Sequence, residues 1–469
     1  MIFSSNIFLF VFLPVFLTAY YLTPNKFRSY TILAGSYLFY AWWRVDFLAL
    51  FVAVTLWNYY IGLRIYTALT KAHAKRWVAL GIFLNLATLG YFKYVNFGVD
   101  AINEVMVELG TDPWLVTHVI LPIGISFYIF QAISYIIDVY RKDTPATESL
   151  IDFAAFIALF PQLIAGPVLR YKDVVNQFKA RTHTMDKFGE GCQRFMLGFA
   201  KKVIIADSIA PLVDQGFALQ DPTQLDAWLA LAAYTAQLYF DFSGYADMAI
   251  GLGLMMGFRF VENFKHPYIS QSITEFWRRW HISLSSWLRD YLYIPLGGNR
   301  VGHVNTYRNL FLTMLLGGLW HGANWTFLFW GAWHGGILAI EKALGVDTSG
   351  KSFNVLRWLL TLILVMMGWV VFRAETFSVA STLYLALFSF DTLVLSDVYR
   401  TNITQSQLYI LFFSWILIVY RGFHQRAIEQ GRHLINMPRV YAAMLVPLFA
   451  VAVFKLSAQS YSAFLYFQF

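Results

Sequence analysis

The sequence predicts an all-α polytopic membrane protein. Of its 469 residues, 58% are hydrophobic and 13% are charged, whereas a soluble domain averages about 25% charged residues. Long apolar stretches recur from residue 6 to residue 457, as expected for a chain that crosses a bilayer many times. The formal net charge is +8. In a membrane protein such an excess marks cytoplasmic loops, so it does not imply a nucleic-acid partner.

We expect about 11–12 transmembrane helices in a single membrane-embedded domain over residues 1–469. N-terminal spans would occupy residues 1–150, a central core with re-entrant segments 151–345, and C-terminal spans 346–469. The candidate spans are residues 6–23, 30–44, 47–66, 77–95, 118–139, 193–213, 228–257, 309–340, 357–373, 376–392, 406–421 and 440–457.

The charges of the loops predict the orientation of the chain. Residues 64–76 are basic and read as cytoplasmic, whereas residues 100–112 are acidic and read as external. Counting back from these loops places the N-terminus outside. The first 25 residues contain no Lys or Arg, so we expect a retained first span rather than a signal peptide.

Residues 152–168 are apolar enough to cross the membrane, but both flanks are basic. Because Pro161, Gly166 and Pro167 interrupt the stretch, we expect a re-entrant segment that returns to the same side. The strongly basic stretch 259–308 is expected on the cytoplasmic side.

Residues 309–340 contain no Lys, Arg, Asp or Glu but include His321. An ionisable side chain in hydrocarbon is costly and usually faces a bundle interior or a wet cavity. These 32 residues exceed the roughly 20 that a span needs, so we expect one net outward passage with a helix break near 317–324. Since an imidazole exchanges protons near neutral pH, His321 is the leading functional candidate.

Residues 277–291 read as an amphipathic helix at the membrane interface. One face carries Trp277, Trp280, His281, Leu284, Trp287, Leu288 and Tyr291. This face either anchors the helix among lipid headgroups or belongs to a functional site, and His281 is either a hydrogen-bonded structural residue or a functional one. Arg278, Arg279 and Arg289 are candidates to bind the phosphates of a lipid or of a nucleotide-bearing donor.

Three other buried candidates are expected to be mainly structural. His334 follows His321 by 13 residues, which on an unbroken helix places the two rings on nearly opposite faces. Asp241 and Asp247 lie inside a candidate span, as structural partners of polar groups or as the lining of a cavity.

The lone Cys192 excludes an internal disulfide. Because no metal-binding or P-loop spacing occurs, we expect no metal and no bound cofactor.

Several motifs along the chain point to a known family. They are MIFSSN at 1–6, PIGISFY at 122–128, FPQLIAGP at 160–167, YFDFSGY at 239–245, the run 275–300, LWHG at 319–322 and FLYFQF at 464–469. The set resembles the membrane-bound O-acyltransferase superfamily. Within it, the chain is similar to the membrane subunits of bacterial alginate and acetylated-cellulose systems.

The resemblance implies a ring of membrane helices around a central tunnel that joins the two faces. It also implies that His321 is the catalytic residue and that His281 lines the cytoplasmic side of the tunnel. The other candidates for the tunnel or the donor site are Trp320, Asn324, Trp325, Arg278, Arg279, Arg289 and Asp241.

The implied reaction moves an acetyl group from cytoplasmic acetyl-CoA across the bacterial inner membrane, for O-acetylation of an exported polysaccharide such as alginate or cellulose. A periplasmic acetyltransferase would be the partner subunit. One alternative is a non-enzymatic transporter or flippase with a proton-relay histidine. Another is an acyltransferase that acts on teichoic acid, protein or lipid. The lack of clear inverted repeats favours the enzyme.

Overall fold

The protein is helical throughout the part that its structure describes. The structure is a computed structural model, and it describes residues 1–164, 166–300, 302–346, 348, 352–390, 393–429 and 438–458. These residues form helices and no β-strand, which confirms the all-α fold class. The C-terminal motif at 464–469 lies outside the described residues.

The chain divides into two compact units. The first is Met1–Cys192 with Ala249–Val261, and the second is Gln193–Met248 with Glu262–Phe469. The single membrane-embedded domain with three segments that the sequence predicts stays a prediction.

The first unit is built from nine helices and the start of a tenth. They are α1 (Leu13–Leu22), α2 (Arg28–Ala41), α3 (Asp46–Tyr66), α4 (Lys71–Leu89), α5 (Val95–Glu108), α6 (Ile125–Arg141), α7 (Leu150–Ala158), α8 (Phe160–Leu163), α9 (Tyr171–Lys179) and α10 (Met185–Ala200). A π-helical turn at Gly90–Tyr94 joins α4 to α5.

A buried amide pair joins α3 to α4. The side-chain amide of Asn58 donates to Oδ1 of Asn85 at 3.0 Å, and the amide of Asn85 donates back at 2.8 Å. Both side chains are fully buried, so each amide satisfies the other where water has no access. Such pairs join neighbouring helices in a membrane, where the hydrophobic effect gives little driving force between them.

The predicted interruption within 152–168 is present. Helix α7 ends at Ala158, and α8 begins at Phe160 with Pro161 in its first turn. Proline suits this position because the first-turn amides have no partner within the helix. Phe160 and Leu163 are buried in protein, as irregular backbone at membrane depth requires. The return of the segment to the same side stays a prediction.

The second unit contains the end of α10 and the remaining helices, except that the last turns of α12, from Ala249, belong to the first unit. They are α11 (Asp207–Ala218), α12 (Gln224–Met255), α13 (Ile273–Arg279), α14 (Ile282–Leu288), α15 (His303–His321), α16 (Trp325–Ala343), α17 (Val355–Arg373), α18 (Phe377–Leu387), α19 (Asp397–Asn402), α20 (Gln405–Glu429) and α21 (Pro438–Ala458).

Helices α15 and α16 form an antiparallel hairpin. Gly331 lies against the backbone of Met314 and Leu315, whereas Gly335, one turn later, lies against Phe311, one turn earlier. The predicted break is therefore confirmed: α15 ends at His321 and α16 begins at Trp325. The predicted single outward passage is wrong, because the chain reverses direction at the break and the glycines let the two helices pack closely.

Replacing Gly331 with alanine is expected to destabilise this hairpin. A Cβ there would lie 2.5 Å from the carbonyl oxygen of Met314, and backbone cannot move aside as a side chain does. We expect a loss of about 1–3 kcal/mol, measured by denaturant unfolding in detergent. Gly336→Ala on the same helix is the matched control, since no atom lies within 4 Å of its added Cβ. Equal stability of the two variants would contradict the close packing.

Every candidate span overlaps a helix of the structure. Among the described residues, four helical stretches are both long and apolar enough to cross a membrane by length and composition. They are Asp46–Tyr66, Lys71–Glu108, Val355–Arg373 and Gln405–Glu429. These stretches fit a multi-pass membrane protein, and the total number of spans stays a prediction.

Candidate active site

The structure brings His281 and His321 together in the second unit. His321 is the last residue of α15, where Gly322 turns the backbone into an extended conformation. His281 sits between α13 and α14. The two ring centroids are 6.5 Å apart, with 63° between the ring planes. Two histidines separated by 40 residues of sequence (321 minus 281) therefore share one site.

Aromatic rings surround His321. Its centroid lies 5.1 Å from that of Trp320, 5.0 Å from Trp330 and 5.3 Å from Phe372. His321 is 7% exposed and His281 is fully buried, so the two rings differ in their access to solvent. The arrangement gives an imidazole in apolar walls, where bulk water is largely excluded and electrostatic interactions are strong.

The backbone at His281 has an unusual conformation. The predicted continuous helix over 277–291 is wrong, because Trp280 is extended and His281 has a φ of 43°, in the left-handed region. A residue with a Cβ rarely adopts this conformation, which costs on the order of 1 kcal/mol or more and is typical of functional sites. The break turns the His281 ring toward Phe242, whose centroid is 4.7 Å away.

Asn263 fixes the tautomer of His281. The amide and the hydroxyl of Ser283 donate to Oδ1 of Asn263 at 3.2 and 2.9 Å. Since Oδ1 is thus an acceptor, Nδ1 of His281, 3.2 Å away, donates its hydrogen to it. Nε2 of His281 then carries the lone pair. Burial lowers the pKa of His281 to about 3, so the ring is neutral at physiological pH.

The aromatic residues predicted to share one face of 277–291 lie on two helices rather than one, and they are buried in protein. Trp277, Trp280 and Trp287 are all buried in protein, at 8%, 3% and 6% exposure. They therefore do not reach lipid headgroups, and the interfacial-anchor interpretation is wrong. Packing against α16 and α17 explains the burial, since Trp277 contacts Trp330 and Trp280 contacts Trp369.

The three candidate arginines differ in their contacts. Arg279 is held by Glu275 at 3.0 Å and by Glu429 at 2.9 Å, so it braces the end of α13. Arg289 pairs with Asp290 at 2.7 Å and remains largely exposed. Arg278 is exposed and makes no ion pair within the part of the chain that the structure describes. Arg278 is therefore the arginine with the most freedom to meet an anionic donor.

The residues after His321 shape the hairpin turn. Oδ1 of Asn324 accepts from the amide of Thr326 at 3.1 Å, which caps the start of α16. The Asn324 side-chain amide donates to the carbonyl oxygen of Glu375 at 3.1 Å. Trp325 is 53% exposed. Trp320 lies by both histidines, with its centroid 6.3 Å from that of His281.

The buried carboxylates are ion-paired. Asp241 lies 2.6 Å from the ammonium of Lys202, which also contacts Asp207 at 2.7 Å. Asp247 contacts Lys201 at 2.6 Å and Arg194 at 2.7 Å. This geometry supports the structural interpretation of both aspartates, because a buried charge is costly unless paired.

His334 belongs to the same aromatic cluster. The indole N–H of Trp277 donates to its Nδ1 at 3.3 Å, and its centroid is 5.0 Å from that of Trp330. Trp330 also contacts His321 at 5.0 Å. The expected separation of the two histidines assumed an unbroken helix, whereas Trp330 bridges them. The contacts of His334 support a structural role.

Sequence reasoning missed Asn263 and Phe372. Neither stands in a recognisable pattern, and each reaches the site only through the packing of distant segments.

In the described residues, no group of three or more His, Cys, Asp or Glu side chains is placed to hold a metal ion. The site therefore offers two imidazoles, aromatic walls and one fixed tautomer.

Comparison with known proteins decides the family. The model of the membrane-bound O-acyltransferase family matches residues 29–386. This chain belongs to the membrane-bound O-acyltransferase family. It is therefore a multi-pass membrane acyltransferase, as its motifs predicted, and the transporter alternative loses its support.

The chain is similar to enzymes named for three different acceptors. It is 61% identical to a probable alginate O-acetylase of Pseudomonas putida over the whole of both chains. It is 37% identical to a peptidoglycan O-acetyltransferase of Helicobacter pylori, over 80% of this chain and 77% of that protein. It is 27% identical to a teichoic acid D-alanyltransferase of Streptococcus thermophilus, over 59% and 73% respectively.

Proposed function

We propose that this enzyme transfers acetyl groups from cytoplasmic acetyl-CoA for O-acetylation of exported alginate. The observation that carries the proposal is the 61% identity over full length to a probable alginate O-acetylase. The lower identities to enzymes named for peptidoglycan and teichoic acid make those acceptors weaker candidates. No comparison favours cellulose. Because alginate is modified outside the cell, the enzyme would work in the inner membrane with a periplasmic acetyltransferase partner.

In the proposed mechanism His321 acts as general base. It takes the proton of an acceptor hydroxyl while the hydroxyl oxygen attacks the thioester carbonyl. A C–O bond forms, the C–S bond breaks, and the CoA thiolate leaves and takes up a proton. Imidazole suits this role because its unperturbed pKa of about 6.5 allows it to accept and release a proton near neutral pH.

The surroundings of the two histidines support this mechanism. Aromatic walls from Trp320, Trp330 and Phe372 limit the access of water, which would otherwise hydrolyse the thioester. His281 is neutral, and Asn263 fixes its orientation. Its role is to offer the Nε2 lone pair at the site, where it positions the acceptor or the donor. Arg278 is the candidate for the CoA phosphates because it is exposed and, among the described residues, makes no ion pair.

An acetyl-transfer assay in membrane vesicles tests the proposal. Inverted vesicles that contain the enzyme and its partner would receive radiolabelled acetyl-CoA outside, with oligomannuronate or cello-oligosaccharide trapped inside. We expect release of free CoA and label on oligomannuronate, because the donor and acceptor meet from opposite faces. Vesicles without the enzyme give the background. Label confined to cello-oligosaccharide would contradict the assignment of alginate, and label entry without CoA release would contradict transfer chemistry.

A further inference from the structure

A partly open cleft of about 210 Å³ lies in the second unit, and neither His281 nor His321 lines it. Its walls come from the end of α10 and the π-helical segment that follows, α12, α20 and α21. Most of the lining is apolar: Leu197, Ala200, Ile204, Ile205, Phe240, Leu417, Ile418 and Leu448. The polar lining residues are Lys201, Tyr239, His266 and Arg421. The cleft therefore joins an aliphatic slot to a basic rim.

The three basic residues of the rim are not equivalent. Lys201 is already neutralised, since its ammonium lies 2.6 Å from a carboxylate oxygen of Asp247. Burial, followed by the charges of Arg421 and Lys201, lowers the pKa of His266 to about 4. His266 is therefore neutral at physiological pH and offers one ring N–H. Arg421 is exposed and makes no ion pair among the residues described. The rim thus carries one uncompensated positive charge.

Arg421 lies toward the end of a candidate membrane span, where a lipid headgroup is expected. Helix α20 is one of the four stretches long and apolar enough to cross a membrane. Leu417 and Ile418 line the cleft one turn before Arg421, and the basic residues Arg421 and Arg426 are in the last third of the helix. An aliphatic wall below a cation at the end of a span has the polarity of a phospholipid, with acyl chains below and phosphate above. Basic pockets between transmembrane helices bind anionic headgroups in this way.

We propose that this cleft binds one anionic phospholipid. Its phosphate pairs with the guanidinium of Arg421 and accepts the ring N–H of His266. The upper part of its acyl chains lies along Ile204, Leu417 and Leu448. The net charge of the rim selects an anionic lipid over a zwitterionic one, because the choline of a zwitterionic headgroup would bring a second cation beside Arg421.

Native mass spectrometry of the full-length enzyme in detergent tests the proposal. The protein would be titrated with phosphatidylglycerol and, separately, with phosphatidylcholine. We expect one phosphatidylglycerol to bind preferentially, and Arg421→Gln to weaken its binding by about tenfold, since a charge-assisted contact is lost. Arg357→Gln is the matched control. Arg357 is also exposed and near the end of a candidate span, but it does not line the cleft.

A second pair of variants tests the aliphatic slot independently of the charge. Leu417→Trp fills the cleft and should abolish the bound lipid. Ile416→Trp places the same ring on the neighbouring residue, which does not line the cleft, and should bind as the wild type does. Thermal unfolding of each variant shows whether its fold is kept.

Three results would overturn the proposal, two of them on the binding of the lipid and one on its selection by charge. One is equal binding of phosphatidylglycerol by the wild type and by both Arg421→Gln and Leu417→Trp. The other is displacement of the lipid by coenzyme A or by inorganic phosphate, which would assign the rim to a soluble phosphate instead of a lipid. Equal binding of phosphatidylcholine would likewise reject the selection by charge.

Discussion

Replacing His321 with alanine is expected to lower the rate of acetyl transfer by about 10²–10⁴-fold, the usual contribution of a general base. The imidazole ends α15 among Trp320, Trp330 and Phe372. Of these four rings only the imidazole has a basic nitrogen, because the indole and phenyl rings carry no lone pair that can take a proton from a hydroxyl at neutral pH. Release of free CoA from radiolabelled acetyl-CoA by the purified enzyme and its partner measures the effect.

Two further variants separate loss of the base from loss of structure. His321→Phe keeps a ring of similar size among the aromatic walls but has no proton acceptor, so it should be as inactive as His321→Ala. His303→Ala removes an exposed histidine at the other end of the same helix and should leave the activity unchanged. Unfolding midpoints near that of the wild type would show that the fold is kept. Wild-type rates in His321→Phe would reject His321 as the base.

Replacing Lys202 with methionine is expected to destabilise the protein by about 3–5 kcal/mol. The Lys202 side chain is 1% exposed and holds two carboxylates, those of Asp207 and Asp241, which are 10% and 2% exposed. Methionine has a similar length but no charge, so both carboxylates would lose the positive charge of Lys202 where water has little access. Denaturant unfolding in detergent measures the loss.

The double variant Lys202→Met with Asp241→Asn should recover part of that stability, because it removes one of the two negative charges that Lys202 had paired. Arg400→Gln is the control for a surface pair. Arg400 and Asp397 are 65% and 86% exposed, and an exposed pair contributes little in water. A Lys202→Met variant as stable as Arg400→Gln would show that the buried cluster does not stabilise the fold.

Much of the helical framework follows from local sequence. Apolar stretches and the glycines near His321 correctly located helices and the break between α15 and α16, because helix formation and helix ends depend on neighbouring residues. Pro161 likewise marked the start of α8. The motifs around His321 and His281 also indicated the correct family. These signals are short-range or shared by relatives, so a single sequence can show them.

Predictions from local sequence were wrong where packing against distant segments decides the conformation or the partner of a residue. A helical wheel for 277–291 assumed a continuous helix, yet His281 breaks it, and the three tryptophans enter the core rather than the lipid interface. The charge of Arg279 indicated a phosphate site, yet Glu275 and Glu429 already pair with it. Glu275 is four residues from Arg279 and could have been recognised, but Glu429 is 150 residues away, and the tryptophans pack against the distant helices α16 and α17.

The sequence by itself determined a helical membrane acyltransferase with an imidazole at a helix break. Only the tertiary structure decided that the chain reverses there, that His281 and His321 lie 6.5 Å apart, and that Asn263 sets the tautomer of His281. Hydropathy and family motifs depend on residues that are close together in the sequence, so the sequence alone shows them. The proximity and orientation of two rings depend instead on how several helices pack, and on which buried polar groups remain to satisfy one another.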